Sequence, residues 1–134
     1  MTYLCMIFFD PHRLDTLPSD ELASLGAAAA AYDDELRTSG HLLAAHRLER
    51  PQAAATVRIR NGHASPTDGP FAAGLARPGR PGTLAATKEQ IGGVLLLDAR
   101  DLNEAIQIAS RLPIARFGAV EVRPVKEPPT GRAR

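Results

Sequence analysis

The stretch Tyr3-Leu4-Cys5-Met6-Ile7-Phe8-Phe9 is apolar or aromatic at every position, and this restricts the fold more than any other feature of the chain. A strand with one wet face alternates between apolar and polar residues, whereas a strand with no polar position is buried on both faces. Residues 3–9 are therefore expected to run through the middle of a sheet. Val94-Leu95-Leu96-Leu97 has the same character and supplies a second central strand.

Helical periodicity separates the strands. Leu22, Leu25, Ala29, Tyr32 and Leu36 recur at spacings of three and four, placing them on one helical face. Ser19 is the expected N-cap, with Asp20 and Glu21 at the positive end, and Gly40 closes the helix. A second helix starts at Asp101, with Glu104 three residues on in an acidic variant of the capping box. Its apolar face is expected to comprise Leu102, Ala105, Ile106, Ala109 and Leu112, and Pro113 stops it.

Three weaker strands complete the pattern. Residues 41–48 carry enough apolar content for one. Thr56-Val57-Arg58-Ile59-Arg60 alternates cleanly and runs into Asn61-Gly62, the signature of a type I′ hairpin. Pro66 cannot donate to a ladder, so the returning strand is short or lies at an edge. Val120, Val122 and Pro124 alternate with Glu121 and Arg123 in the last strand.

The expected order, strand, helix, strand, hairpin, strand, helix, strand, is α+β. At 134 residues one domain buries an adequate core without metals or disulfides, spanning 1–126, with a flexible tail at 127–134. Two helices cover only one face of such a sheet, yet its central strands are apolar on both. A second copy of the same sheet would bury the uncovered face symmetrically, which predicts a homodimer.

Charge and composition narrow the function. Sixteen basic and 15 acidic residues leave a net charge of +1, too little to draw the chain to nucleic acid or anionic lipid. With no tryptophan and few aromatics there is no stacking strip for single strands. Neither direct nucleic-acid binding nor a membrane role is expected. The apolar N-terminus is shorter than a bilayer span and lacks a basic leader. Cys5 stands alone, and no histidine pair has ligand spacing, so neither a disulfide nor a metal site is expected. Phosphate-loop and nucleophile-elbow motifs are absent. The expectation is a cytoplasmic protein with no cofactor.

Two motifs carry a resemblance. Asp68-Gly69-Pro70-Phe71 and Thr87-Lys88-Glu89-Gln90-Ile91-Gly92-Gly93 are similar to the two signatures of the DGPF / YCII-related family, and the flanks agree over residues 1–126. The resemblance implies a ferredoxin-like βαββαβ core with an extra hairpin strand, dimeric as an α/β barrel, with a small-molecule pocket between sheet and helices. It also implies either a cofactor-free proton-transfer, isomerase or lyase-type enzyme, or a non-catalytic regulatory protein contacting a partner such as an extracytoplasmic-function sigma factor. A histidine found at the start of the first helix in one branch of the family is missing here, where the sequence reads Pro18-Ser19-Asp20-Glu21-Leu22. The segment 73–86, with Arg77 and Arg80, interrupts the usual short connection between the motifs and is expected to be a flexible surface loop.

These motifs supply the candidate site. Asp68 is either the hydrogen-bonding residue of a rigid turn or a carboxylate base, and Phe71 either a core plug or a pocket wall. His46, in a strand-like segment, is the candidate proton carrier. Lys88, Glu89 and Gln90 are candidate pocket residues because the glycine pair after them permits close approach. The ligand expected is small and anionic or aromatic. On size-exclusion chromatography with light scattering the protein is expected to elute as a dimer; a monomer at micromolar concentration would count against the buried-face argument.

Overall fold

In the computed structural model, residues 1–71 and 88–127 are described. The expectations for 73–86 and for most of the 127–134 tail lie outside these residues.

The main sheet is four-stranded, with β1 (Thr2–Phe9), β2 (Leu42–Arg47), β5 (Gln90–Asp98) and β6 (Gly118–Pro124) in the order β2-β5-β1-β6 and every neighbouring pair antiparallel. The helices are α1 (Pro11–Asp15), α2 (Ser19–Thr38) and α3 (Leu102–Ser110). Since β1 and β2 are both antiparallel to β5, they run parallel with β5 between them. The same relation holds for β5 and β6 around β1. Two interleaved split βαβ units of this kind form the ferredoxin-like topology, and the two apolar runs occupy the central positions.

Alternation decides which side chains enter the core. Tyr3, Cys5 and Ile7 of β1 and Leu95 and Leu97 of β5 are buried with Tyr32 and Leu36 of α2 and Ala105, Ile108 and Ala109 of α3. The intervening Leu4, Met6, Phe8, Val94 and Leu96 lie on the other face and keep part of their surface in solvent. Burial pushes the Cys5 thiol up to about 11, so it is packed as a small apolar group rather than a nucleophile.

The remaining strands, β3 (Ala55–Arg60) and β4 (His63–Asp68), form a separate two-stranded sheet rather than an added strand of the main one. Asn61 at φ 52° and Gly62 at φ 78° make the expected turn between paired Arg60 and His63. Counting outward from that hydrogen-bonded pair, Val57 and Pro66 fall at a non-bonded pair. Pro66 therefore removes no ladder bond. Val57 and Ile59 remain exposed.

Several local expectations need correction. Pro18, not Ser19, holds the N-cap position of α2, without a side-chain cap; its fixed φ already sets the entry to the helix. Residues 11–15, between the first strand and the first long helix, form α1, whose start is fixed by the Asp10 carboxylate accepting from His12 N–H at 3.0 Å. Asp101 does cap α3, accepting from Glu104 N–H at 2.9 Å, and the Glu104 carboxylate reaches back to Arg100 N–H at 2.8 Å. The buried face of that helix, however, is Ala105, Ile108 and Ala109, while Leu102 and Ile106 are exposed.

A buried hydrogen bond joins the two long helices: the Tyr32 hydroxyl donates to the Ile108 carbonyl at 2.8 Å. Arg111 lies over the same ring, 5.1 Å from its centroid, and pairs with Glu35 at 2.7 Å. The Ile108 carbonyl also accepts from Arg111 N–H at 3.2 Å, so removing the hydroxyl leaves it partnered. Tyr32→Phe is accordingly expected to cost only about 1 kcal/mol of stability in urea unfolding; a loss several times larger would mean that the bond anchors more than the helix pair.

Candidate functional site

A cavity of about 520 Å³ lies between the helix-bearing face of the sheet and α2, within the range of roughly 300–1,000 Å³ that small-molecule sites occupy. Ile7, Leu25, Leu95 and Leu112 are among its apolar walls. From α2 it receives Leu22, Gly26, Ala29 and Asp33, spaced by four, three and four, so they form one stripe along the helix. The small residues at 26 and 29 leave room between helix and sheet. Asp33 is the acidic residue of a lining that is otherwise apolar apart from His46 and Arg47.

Burial raises the Asp33 pKa from its ordinary 3.8, while Arg37 and Arg47 oppose the shift and Asp34 adds to it. Arg47 ends β2 and is in register with Gly93, so no side chain on the neighbouring strand stands in its way. Ala45 packs on the core, which puts Arg47 on the same face and directs the His46 ring to the other. His46 borders the cavity, but at its own position the alternation favours a backbone contribution.

The glycine pair shapes the floor. The β1–β5 register steps from Ile7–Gly93 to Phe8–Ile91, leaving Gly92 as the extra residue of a β-bulge. The Phe9 ring lies directly over it: a Cβ on Gly92 would stand 2.4 Å from two ring carbons. The second signature motif thus creates a bare stretch of backbone on which an aromatic ring rests. A smaller cavity of about 200 Å³ lies beyond, and Gln90 lines it.

The other candidates stand apart. Asp68 ends β4 and is exposed. The turn after it is built from Gly69 at φ 99°, whose N–H donates to the Ala54 carbonyl at 2.7 Å and whose carbonyl accepts from the Thr56 hydroxyl at 2.8 Å. Phe71 does not plug the core; it is 52% exposed, with the Arg58 guanidinium 5.0 Å from its ring centroid. Lys88 is exposed and Glu89 half-buried, and neither lines a cavity described here. Among the described residues no group of three or more His, Cys, Asp and Glu converges as a metal site would require.

The polar residues that enter the large cavity, Asp33 and Arg47, were not singled out by sequence. The signal for Asp33 was its place four residues after Ala29 on the helical stripe, and for Arg47 its parity with Ala45. Because Asp33 has a raised folded-state pKa, its protonated form favours folding. That contribution is complete below the ordinary value of 3.8 and is lost as pH rises through the folded value. Asp33→Asn is therefore expected to melt above wild type at neutral pH, with the gap closing toward pH 3 in calorimetric scans; the opposite ordering would mean that Arg37 and Arg47 outweigh desolvation.

The sequence profile described as the YCII-related domain matches residues 1–128. No curated protein gives a significant match to the chain. Among solved structures, the fold is similar to that of 5-chloro-2-hydroxyhydroquinone dehydrochlorinase from Burkholderia phenoliruptrix in complex with 2,5-dihydroxybenzoquinone, with 18% identity, 96% of each chain covered and a TM-score of 0.50. At that identity the likeness bears on the fold. No described helix is long and apolar enough to cross a membrane.

Proposed function

We propose that this chain, which belongs to the YCII-related family, is a small-molecule enzyme of the proton-transfer type, an isomerase or lyase working without a cofactor in the cavity under α2. The observation that carries the reading is the placement of one carboxyl group, Asp33, in the wall of an apolar cavity, where burial raises its pKa and the Arg47 guanidinium acts on it electrostatically. A carboxyl group in such surroundings is a better proton acceptor than one in water and can return the proton within the same turnover. Negative charge that develops on a substrate oxygen during the transfer is stabilised by Arg47, which stands exposed at the edge of the cavity. Gln90, which lines the smaller cavity, adds an uncharged polar residue, whereas the His46 ring is directed to the other face of the sheet and takes no part. Asp68, Phe71, Lys88 and Glu89 stay outside this assignment. The likeness in fold to a dehydrochlorinase supports the choice of eliminations and related proton transfers at the level of fold analogy only.

The same reading includes a homodimer. Leu4, Met6, Phe8, Val94 and Leu96 make the sheet face opposite the helices apolar, and each retains solvent contact in the single chain. A second copy laid on this face removes that surface from water and leaves the cavity on the far side of the sheet accessible.

The test is hydrogen–deuterium exchange, followed by NMR in D₂O, of a panel of hydroxylated quinones and 1,3-dicarbonyl compounds. Wild type is expected to accelerate exchange in at least one compound, with a loss of about 100-fold or more in Asp33→Asn and a smaller loss in Arg47→Leu. Exchange that is unaffected by Asp33→Asn, or absent for the whole panel, would remove the catalytic reading.

A further inference from the structure

The two cavities share a wall. Phe9, Leu14 and Gly92 line both the larger space under α2 and the smaller one beside α1. We propose that these are two ends of one binding cleft, that its ligand is an elongated, largely apolar molecule with a single polar head, and that Phe9 sets how far the tail reaches. This rests on the larger cavity being the ligand site.

The polar groups are distributed accordingly. Asp33 and Arg47 belong to the larger cavity alone. The smaller one is walled by Pro11, Leu48, Pro51 and Ile91 together with the shared residues, and Gln90, half-buried at the start of β5, is the uncharged polar residue of its lining. Its guanidinium, on Arg50, is committed to Asp15 through bonds of 3.2 and 2.5 Å, and Glu49 is exposed. A head group that needs a hydrogen-bonding partner or a counter-charge is served at the Asp33 end, and an apolar tail at the other.

Phe9 is well suited to act as the partition. It is the last residue of β1, where the strand gives way to the turn into α1, and it is partly buried against the core cluster. Its ring rests on the uncovered backbone of Gly92 at the β-bulge. No side chain grows from that backbone to hold the ring in one rotamer, and the ring has a cavity to either side. A change of χ1 to another staggered well removes it from the shared wall. A side chain at position 92 would have the opposite effect: it would drive the ring off the backbone into the space that the cavities occupy.

The experiment measures displacement of the neutral fluorescent probe N-phenyl-1-naphthylamine by straight-chain 1-alkanols of increasing length. It uses the full chain as wild type, Phe9→Ala, Phe9→Leu and Gly92→Ala, with Leu22→Trp, which fills the larger cavity only, as control. Affinity is expected to rise about fourfold per methylene, the equivalent of about 0.8 kcal/mol, up to a limiting length. That limit is expected to lie several carbons further in Phe9→Ala and to come earlier in Gly92→Ala. Phe9→Leu, the smaller cut, keeps the comparison available if the alanine variant does not fold. A limit at the same length in wild type, both Phe9 variants and Gly92→Ala would overturn the joined cleft while leaving the larger cavity as a site. If neither the probe nor short alkanols bind, or if Leu22→Trp leaves their binding unchanged, the pocket reading itself fails.

Discussion

The pairing of β1 with β5 governs the rest of the structure, because these strands alone have a neighbour on each side and both their faces are apolar. Their register settles which residues meet the helices. It places Cys5, Ile7, Leu95 and Leu97 under α2 and α3 and sends Leu4, Met6, Val94 and Leu96 to the opposite face. A slip of one residue would exchange these sets. The helix-facing set is enclosed and forms the core, while the other set keeps part of its apolar surface in solvent.

One irregularity in that register creates the site. The bulge at Gly92 interrupts the ladder just before β1 ends, and the missing side chain lets the Phe9 ring settle on the sheet itself. Above it, Gly26 and Ala29 keep α2 from closing onto the strands. The cavity is thus a consequence of small residues placed on both sides of one interface, with large apolar side chains around them. Asp33 of α2 and Arg47, the last residue of β2, are the charged residues of this lining.

The hairpin β3–β4 obeys a different logic. It makes no part of the main sheet, and its apolar residues Val57 and Ile59 are exposed. The Asp-Gly-Pro-Phe motif closes this hairpin: Gly69 bonds back to Ala54 and Thr56 and thereby fixes the exit of the chain from β4. Its local role is to define a turn, and the Phe71 ring that follows is held from outside by Arg58 rather than from within by the core. The other signature segment has the closer connection to the cavities, through Gln90, Gly92 and Gly93.

The sequence by itself determined the order of the strands and the two long helices, the two central strands, the cap at Asp101 and the Asn-Gly turn, because these depend on local periodicity and on backbone preferences of single residues. It could not decide the second layer of detail. Ala105 and Ile106 are adjacent in α3, yet one is fully buried and the other exposed, since the helix axis is set by what it packs against. His46 and Arg47 are adjacent in β2, and only the register with β5 determines which of them faces α2. Asp33 was one of several acidic residues in a helical sequence until the fold left a cavity in front of it. Periodicity locates a face, but only packing decides where that face leaves a space and which polar group stands at its edge.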